Sequence, residues 1–151
     1  MAYFRMLVTQ GGNDTFTSAA KATSLTVDGK AGWSIRGIRA YWVDGAAVAS
    51  ADYSIQATVQ VGSTVQTFAD DEYIDGVAWG LQNTAGVAVA ATFEPFKEHF
   101  LDEPRVTVQP NIYVSVSSSG TAQANDVIFE VHYDVVKLTD LEIMRLLAGG
   151  A

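Results

Sequence analysis

The sequence predicts one all-β domain over residues 1–151, a sandwich or barrel of eight or nine strands that ends in a short helix. Three observations carry that expectation. Several windows alternate apolar and polar residues at the strand period, clusters of turn-forming residues separate them, and a helix-capping pattern precedes the last apolar run. A chain of 151 residues suits one domain with a full core.

Taken in order, Tyr3 to Thr9 and Ala22 to Val27 are the first candidate strands. WSIRGIRAYWV (Trp33 to Val43) is a strand whose alternation slips at Gly37, where a bulge is the simplest explanation. In YSIQATVQV, Tyr53, Ile55, Ala57, Val59 and Val61 share one face, and Ser54, Gln56, Thr58 and Gln60 the other. Ile74 to Leu81 and Val87 to Phe93 follow as strands. PFKEHFLDEP, bounded by Pro95 and Pro104, reads as an irregular turn. Val106 to Val108 and Ile112 to Val116 are two strand pieces broken at Pro110, which has no N–H to give a ladder. In VIFEVHYDVVK, Val127, Phe129, Val131, Tyr133 and Val135 face one way, with Glu130, His132 and Asp134 opposite. Turn chemistry at Gly11, Asp28, Asp44, Asp75, Asn83 and Ser117 punctuates the series. Small-residue runs at Gly45 to Asp52, Gly86 to Ala91 and Gly120 to Asp126 echo one another as loops leading into strands.

Residues 139–148 are expected to be helical. Thr139 and Glu142 form a capping box, and Gly149-Gly150 stops the helix. Leu141, Ile143, Met144, Leu146 and Leu147 spread around most of its circumference. So short a helix is marginal alone in water, so it must pack on its own domain or on a neighbouring copy.

Bulk properties narrow the function. Charged residues make up only 17% of the chain, against about a quarter in ordinary soluble domains, which suggests a surface partly covered by something else. The net charge is -8, and the first thirty residues hold only Arg5, Lys21 and Lys30 as cations. Direct nucleic-acid binding is therefore not expected. MAYFRMLVTQGG lacks the apolar core of a secretory signal, and no window is long and apolar enough for a membrane span. With no cysteine, disulfides are excluded.

Chemistry-bearing constellations are sparse. His99 and His132 lack the spacing of a metal pair. Glu130, His132 and Asp134 share a strand face and read as a polar or inter-subunit surface in preference to ligands. Asp70, Asp71, Glu72 and Asp75 do not follow the twelve-residue calcium loop and read as an exposed acidic loop, a weak cation site being the other option. No nucleophile elbow or phosphate-cradling loop is present, so no catalytic residue, cofactor, metal or small-molecule substrate is expected. Trp33, Trp42 and Trp79 are expected in the core, a sugar-binding surface being the alternative.

The stretch NIYVSVSSSGTAQANDVIFEVHYDVVKLTDLEIMRLL (Asn111 to Leu147), with WGLQNTAGVAVA (Trp79 to Ala90), resembles the single jelly-roll capsid proteins of tailless icosahedral bacterial and archaeal viruses. That resemblance implies two four-stranded sheets packed face to face, a self-assembling shell subunit located in the virion and made in the host cytoplasm, and partners that are copies of itself and other virion proteins. The chain departs from a common capsid feature in having no basic N-terminal arm. A membrane or inner protein layer would then lie between shell and genome. Ile143, Met144, Leu146 and Leu147 are the expected subunit contact. The alternatives are a phage receptor-binding or fibre-head domain, a carbohydrate-binding sandwich, and an enzyme on a cupin-like barrel.

Overall fold

The computed structural model of the chain describes residues 2–12, 14–25, 29–43, 53–62, 72–81, 95–120 and 124–148. Eight strands and one helix follow in order: β1 (Ala2–Thr9), β2 (Phe16–Ala22), β3 (Ala31–Trp42), β4 (Tyr53–Gln60), β5 (Tyr73–Leu81), β6 (Phe96–Thr107), β7 (Asn111–Ser119), β8 (Asp126–Lys137) and α1 (Asp140–Ala148). They form two antiparallel sheets, ordered β1-β8-β3-β6 and β2-β7-β4-β5.

The pairing is nested. First pairs with last, β1 with β8, then β2 with β7, β3 with β6 and β4 with β5. A long antiparallel ribbon has been rolled so that successive pairs alternate between two sheets. This is the single jelly-roll sandwich.

Alternation selects the core. Ile35, Ile38, Phe129 and Val131 of the first sheet share one cluster with Ile55, Val59, Ile112 and Val114 of the second. Trp33, Trp42 and Trp79 are all buried there, and Trp33 stacks on Tyr133 with ring centroids 3.8 Å apart. A polar clamp closes one end, where the chain crosses between sheets after β1 and before β8. Asn125 donates from its backbone N and its Nδ2 to Gln10 Oε1, at 2.9 and 2.7 Å. Gln10 Nε2 donates to Thr15 O and Ser118 Oγ. Both Gln10 and Asn125 are buried, so these bonds satisfy groups that water cannot reach.

Three expectations need correction or qualification. PFKEHFLDEP is not a turn but most of β6, an edge strand. Its register jumps from Phe100 opposite Gly37 to Arg105 opposite Ile35, so Leu101 to Pro104 bulge outward opposite Arg36. Proline is tolerated there because the bulge asks no ladder N–H of it. The strand expected over Ala22 to Val27 instead occupies Phe16–Ala22 and ends where Thr23 bonds to the carbonyls of Pro110 and Gln109. Its sequence, FTSAAKA, is too rich in small residues to alternate visibly. The strand expected over Val87 to Phe93, residues 26–27 of the strand expected over Ala22 to Val27, the turns at Asp28, Asp44 and Asn83, and the loops Gly45 to Asp52 and Gly86 to Ala91 lie outside the described residues. The bulge at Gly37 and the break at Pro110 are as expected, and Gly120 takes φ 75°, the left-handed region that glycine enters freely.

Candidate functional site

The two outer sheet faces differ in chemistry. With Ile55, Ala57 and Val59 buried, Ser54, Gln56 and Thr58 point out. Cross-strand register carries that outward parity to Tyr113, Ser115, Ser117 and Ser119 on β7, Phe16, Ser18 and Ala20 on β2, and Gly76, Ala78 and Gly80 on β5. No Asp, Glu, Lys or Arg stands at any of these positions. The outer face of β2-β7-β4-β5 is built mostly of short side chains, Phe16 and Tyr113 excepted, and is uncharged at these positions.

The outer face of β1-β8-β3-β6 is banded instead. Register aligns Tyr3, His132, Gly37 and Phe100 in one row across the sheet. Arg5, Glu130, Arg39 and Glu98 form the next, and Leu7, Ile128, Tyr41 and Phe96 the third. In the charged row Arg5 Nη2 donates to Glu130 at 2.8 Å, Arg39 Nε to Glu98 at 2.9 Å, and Arg39 Nη1 to Glu130 at 3.5 Å. His132 Nε2 adds a 2.7 Å bond to Glu130. The Arg5 guanidinium, with help from His132, holds the Glu130 carboxyl below the usual carboxylate range. Sitting on the polar parity of β8, His132 is nevertheless buried, because the rings of Tyr3 and Phe100 flank it at 5.6 and 5.4 Å.

The trio Glu130, His132 and Asp134 is thus committed to internal pairing: Glu130 takes its two arginines and His132, and Asp134 accepts from Arg36. Among the described residues, no group of three or more His, Asp or Glu is placed to hold a metal ion. A shallow cavity of about 480 Å³ beside the β6 bulge is lined by Arg36, Phe100, Leu101 and Asp134, and its two charged groups answer each other.

The acidic cluster divides. Asp70 and Asp71 lie outside the described residues, and Glu72 is exposed. Asp75 is not in a loop: it turns inward from β5 and is buried. Its Oδ1 accepts from His99 Nδ1 at 2.6 Å and from the Gly76 N–H at 2.8 Å, while Oδ2 has no partner among the described residues. This bond joins the edge strand of one sheet to that of the other, as does Arg105, which donates to the Tyr73 carbonyl. His99 and His132 occupy opposite parities of the same sheet and do not converge.

Burial pushes the Asp75 carboxyl up, with the His99 and Gly76 bonds opposing it. Burial and the Asp75 charge push the neighbouring Tyr73 hydroxyl up to about 12. A carboxyl that holds its proton more tightly when folded favours the folded state most below its unfolded pKa of about 3.9, and that contribution fades as pH rises through the folded value. Asp75→Asn is therefore expected to flatten this part of the stability profile, gaining on the wild type as pH rises above about 4. Thermal melts across that range check it, and an unchanged profile counts against the assignment.

The terminal helix is capped as expected. Thr139 N donates to Glu142 at 2.7 Å, and Glu142 N to the Thr139 hydroxyl at 3.2 Å. Ile143 is its one buried residue, turned into its own chain. Leu146 is half-buried, whereas Leu141 and Leu147 are exposed and Met144 is 67% exposed. Of the four expected contact residues, Ile143 serves as the anchor, and Met144 and Leu147 face outward. The helix thus packs on its own domain through one side chain and leaves most of its apolar surface uncovered.

The row Arg5–Glu130–Arg39–Glu98 and its aromatic borders were not anticipated from sequence. Phe96, Glu98 and Phe100 do share one parity, and that was the available signal, hidden by reading the segment between two prolines as a turn. No protein-family model matches the chain, and no curated protein matches it either.

Proposed function

We propose that this chain is a structural protein, a subunit that assembles with copies of itself into a viral capsid or equivalent shell. The observation that carries the reading is the outer face of β2-β7-β4-β5, whose outward strand positions carry no Asp, Glu, Lys or Arg on a chain of net charge -8. Charge is depleted at the cores of protein interfaces. The jelly-roll body sets this flank back to back with the banded face of β1-β8-β3-β6, so weak contacts on both sides can be repeated by symmetry. The outward helix residues Met144 and Leu147 provide a further apolar contact. Nucleic acid, cofactor and small substrate have no part in this function, and other virion proteins and an underlying membrane are its expected neighbours.

Met144→Asp with Leu147→Asp tests the helical contact. Both side chains are exposed in the single chain, so the thermal midpoint should hold, with surface effects within about 0.5 kcal/mol. Assembly, followed by light scattering, should fall sharply. Normal assembly combined with a lowered melting temperature would instead make the helix a lid for its own domain.

A second reading rests on a different observation. Tyr3, Tyr41, Phe96 and Phe100 are exposed on one sheet face, a platform of the kind that stacks on sugar rings. A glycan array separates this carbohydrate-binding or fibre-head function from the shell function.

A further inference from the structure

The banded face of β1-β8-β3-β6 carries its own instruction for a partner. We infer that it receives the same face of a second copy, related by a two-fold axis that runs parallel to the strands over the middle of the sheet. The inference deepens the shell reading by naming one of its contacts.

The charged row alternates in sign across the four strands: Arg5, Glu130, Arg39, Glu98. A two-fold axis parallel to the strands reverses strand order and leaves each row facing its own copy. Arg5 then meets Glu98 of the partner subunit, and Glu130 meets Arg39 of the partner subunit. Every cation faces an anion. The same axis keeps the apolar rows together: Tyr3 lies over the partner's Phe100, Leu7 over the partner's Phe96, and Ile128 over the partner's Tyr41. An axis perpendicular to the strands would set Arg5 on the partner's Arg5 and Glu130 on the partner's Glu130, which selects against it. Facing sheets keep their strands within about 30° of each other, which the parallel axis permits.

Exposure and area agree with this use. Tyr3 and Leu7 are 56% and 57% exposed, and Phe96 and Phe100 are open as well. Among the described residues these large apolar groups have no full cover. Four strands about 4.8 Å apart and eight residues long at about 3.4 Å each give a face of about 500 Å². A pair would bury about 1,000 Å², the lower range for specific contacts, as suits an interface repeated many times.

The test is a charge exchange on the full chain. Arg5→Glu alone puts like charges opposite the partner's Glu98 at two symmetric places, and Glu98→Arg does the same at Arg5. Each should weaken self-association at least about tenfold by sedimentation. The double variant, Arg5→Glu with Glu98→Arg, should recover to within about threefold of wild type, since opposite charges again meet across the axis. Inside one chain the double variant breaks both Arg5–Glu130 and Arg39–Glu98, so a purely internal role makes it the worst of the three. That ranking, or no change in any variant, overturns the inference. Leu7→Asp, at an exposed position, gives a second arm: loss of association at unchanged melting temperature is expected, and retained association counts against the pairing. Large particles indifferent to these changes would keep the shell function and remove this contact. A dimer that responds to the exchange but never grows would do the reverse, and a monomer at all concentrations would remove both.

Discussion

Trp42→Ala should be among the most destabilising single changes in this chain, costing about 3–5 kcal/mol. Trp42 is almost wholly buried, its ring 6.0 Å from that of Trp79, and its Nε1 donates to Asn125 Oδ1 at 3.0 Å. Truncation leaves a cavity and also removes the indole bond to the buried Asn125, the residue that grips Gln10 at the crossing between the sheets. Domains of this size are stable by about 5–15 kcal/mol, so such a loss brings the folded state close to its limit. Trp42→Phe keeps most of the volume and loses only the hydrogen bond, at about 1–3 kcal/mol. Urea titration followed by far-ultraviolet circular dichroism should show the midpoint falling in that order. Equal midpoints for the two variants would mean that the clamp bond carries the whole effect.

Gly37→Ala should be nearly as severe for the opposite reason. A Cβ at Gly37 would stand 2.4 Å from the His99 carbonyl oxygen and 2.7 Å from the Phe100 Cα. Both are backbone atoms of β6, so no side chain can swing aside, and β6 must move off β3. Overpacking of this kind costs about 1–3 kcal/mol, and loss of the β3–β6 ladder adds to it. Gly32→Ala is the control. There the nearest atom, at 2.8 Å, is the tip of the Leu138 side chain, which can turn away, and the nearest backbone atom, the Thr107 carbonyl oxygen, stands farther off at 3.0 Å. Gly37→Ala should therefore lower the melting temperature clearly more than Gly32→Ala. The reverse order would contradict the bulge geometry.

Gly37 also shows what the sequence could and could not disclose. Its slip in alternation marked a bulge, and β4 and β8 announced their inner faces through strict period-two patterns. Those signals are local, as is the capping box of α1, where Thr139 and Glu142 sit three residues apart. Two strands were hidden for physical reasons. Between Phe16 and Lys21, β2 holds only Thr, Ser and Ala, so its two sides differ little in polarity. β6 is an edge strand with an outward bulge, so Pro104 costs it nothing and mimics a turn. The charge row lay beyond reach because it is assembled from four strands that are distant in sequence. Arg5 and Glu130 are 125 residues apart, and only register brings them within 2.8 Å. The helix illustrates the same limit: its apolar residues were visible, but not that Ile143 alone turns inward.

The uncharged sheet face, the banded face and the outward helix are the three surfaces on which the proposed self-assembly rests. The most direct measurement is the mass of the purified full-length chain in solution, by light scattering with electron microscopy of the same sample, over a series of protein and salt concentrations. Self-assembly predicts closed particles or regular oligomers many times the mass of one chain. A single-chain mass at every concentration and salt would contradict it.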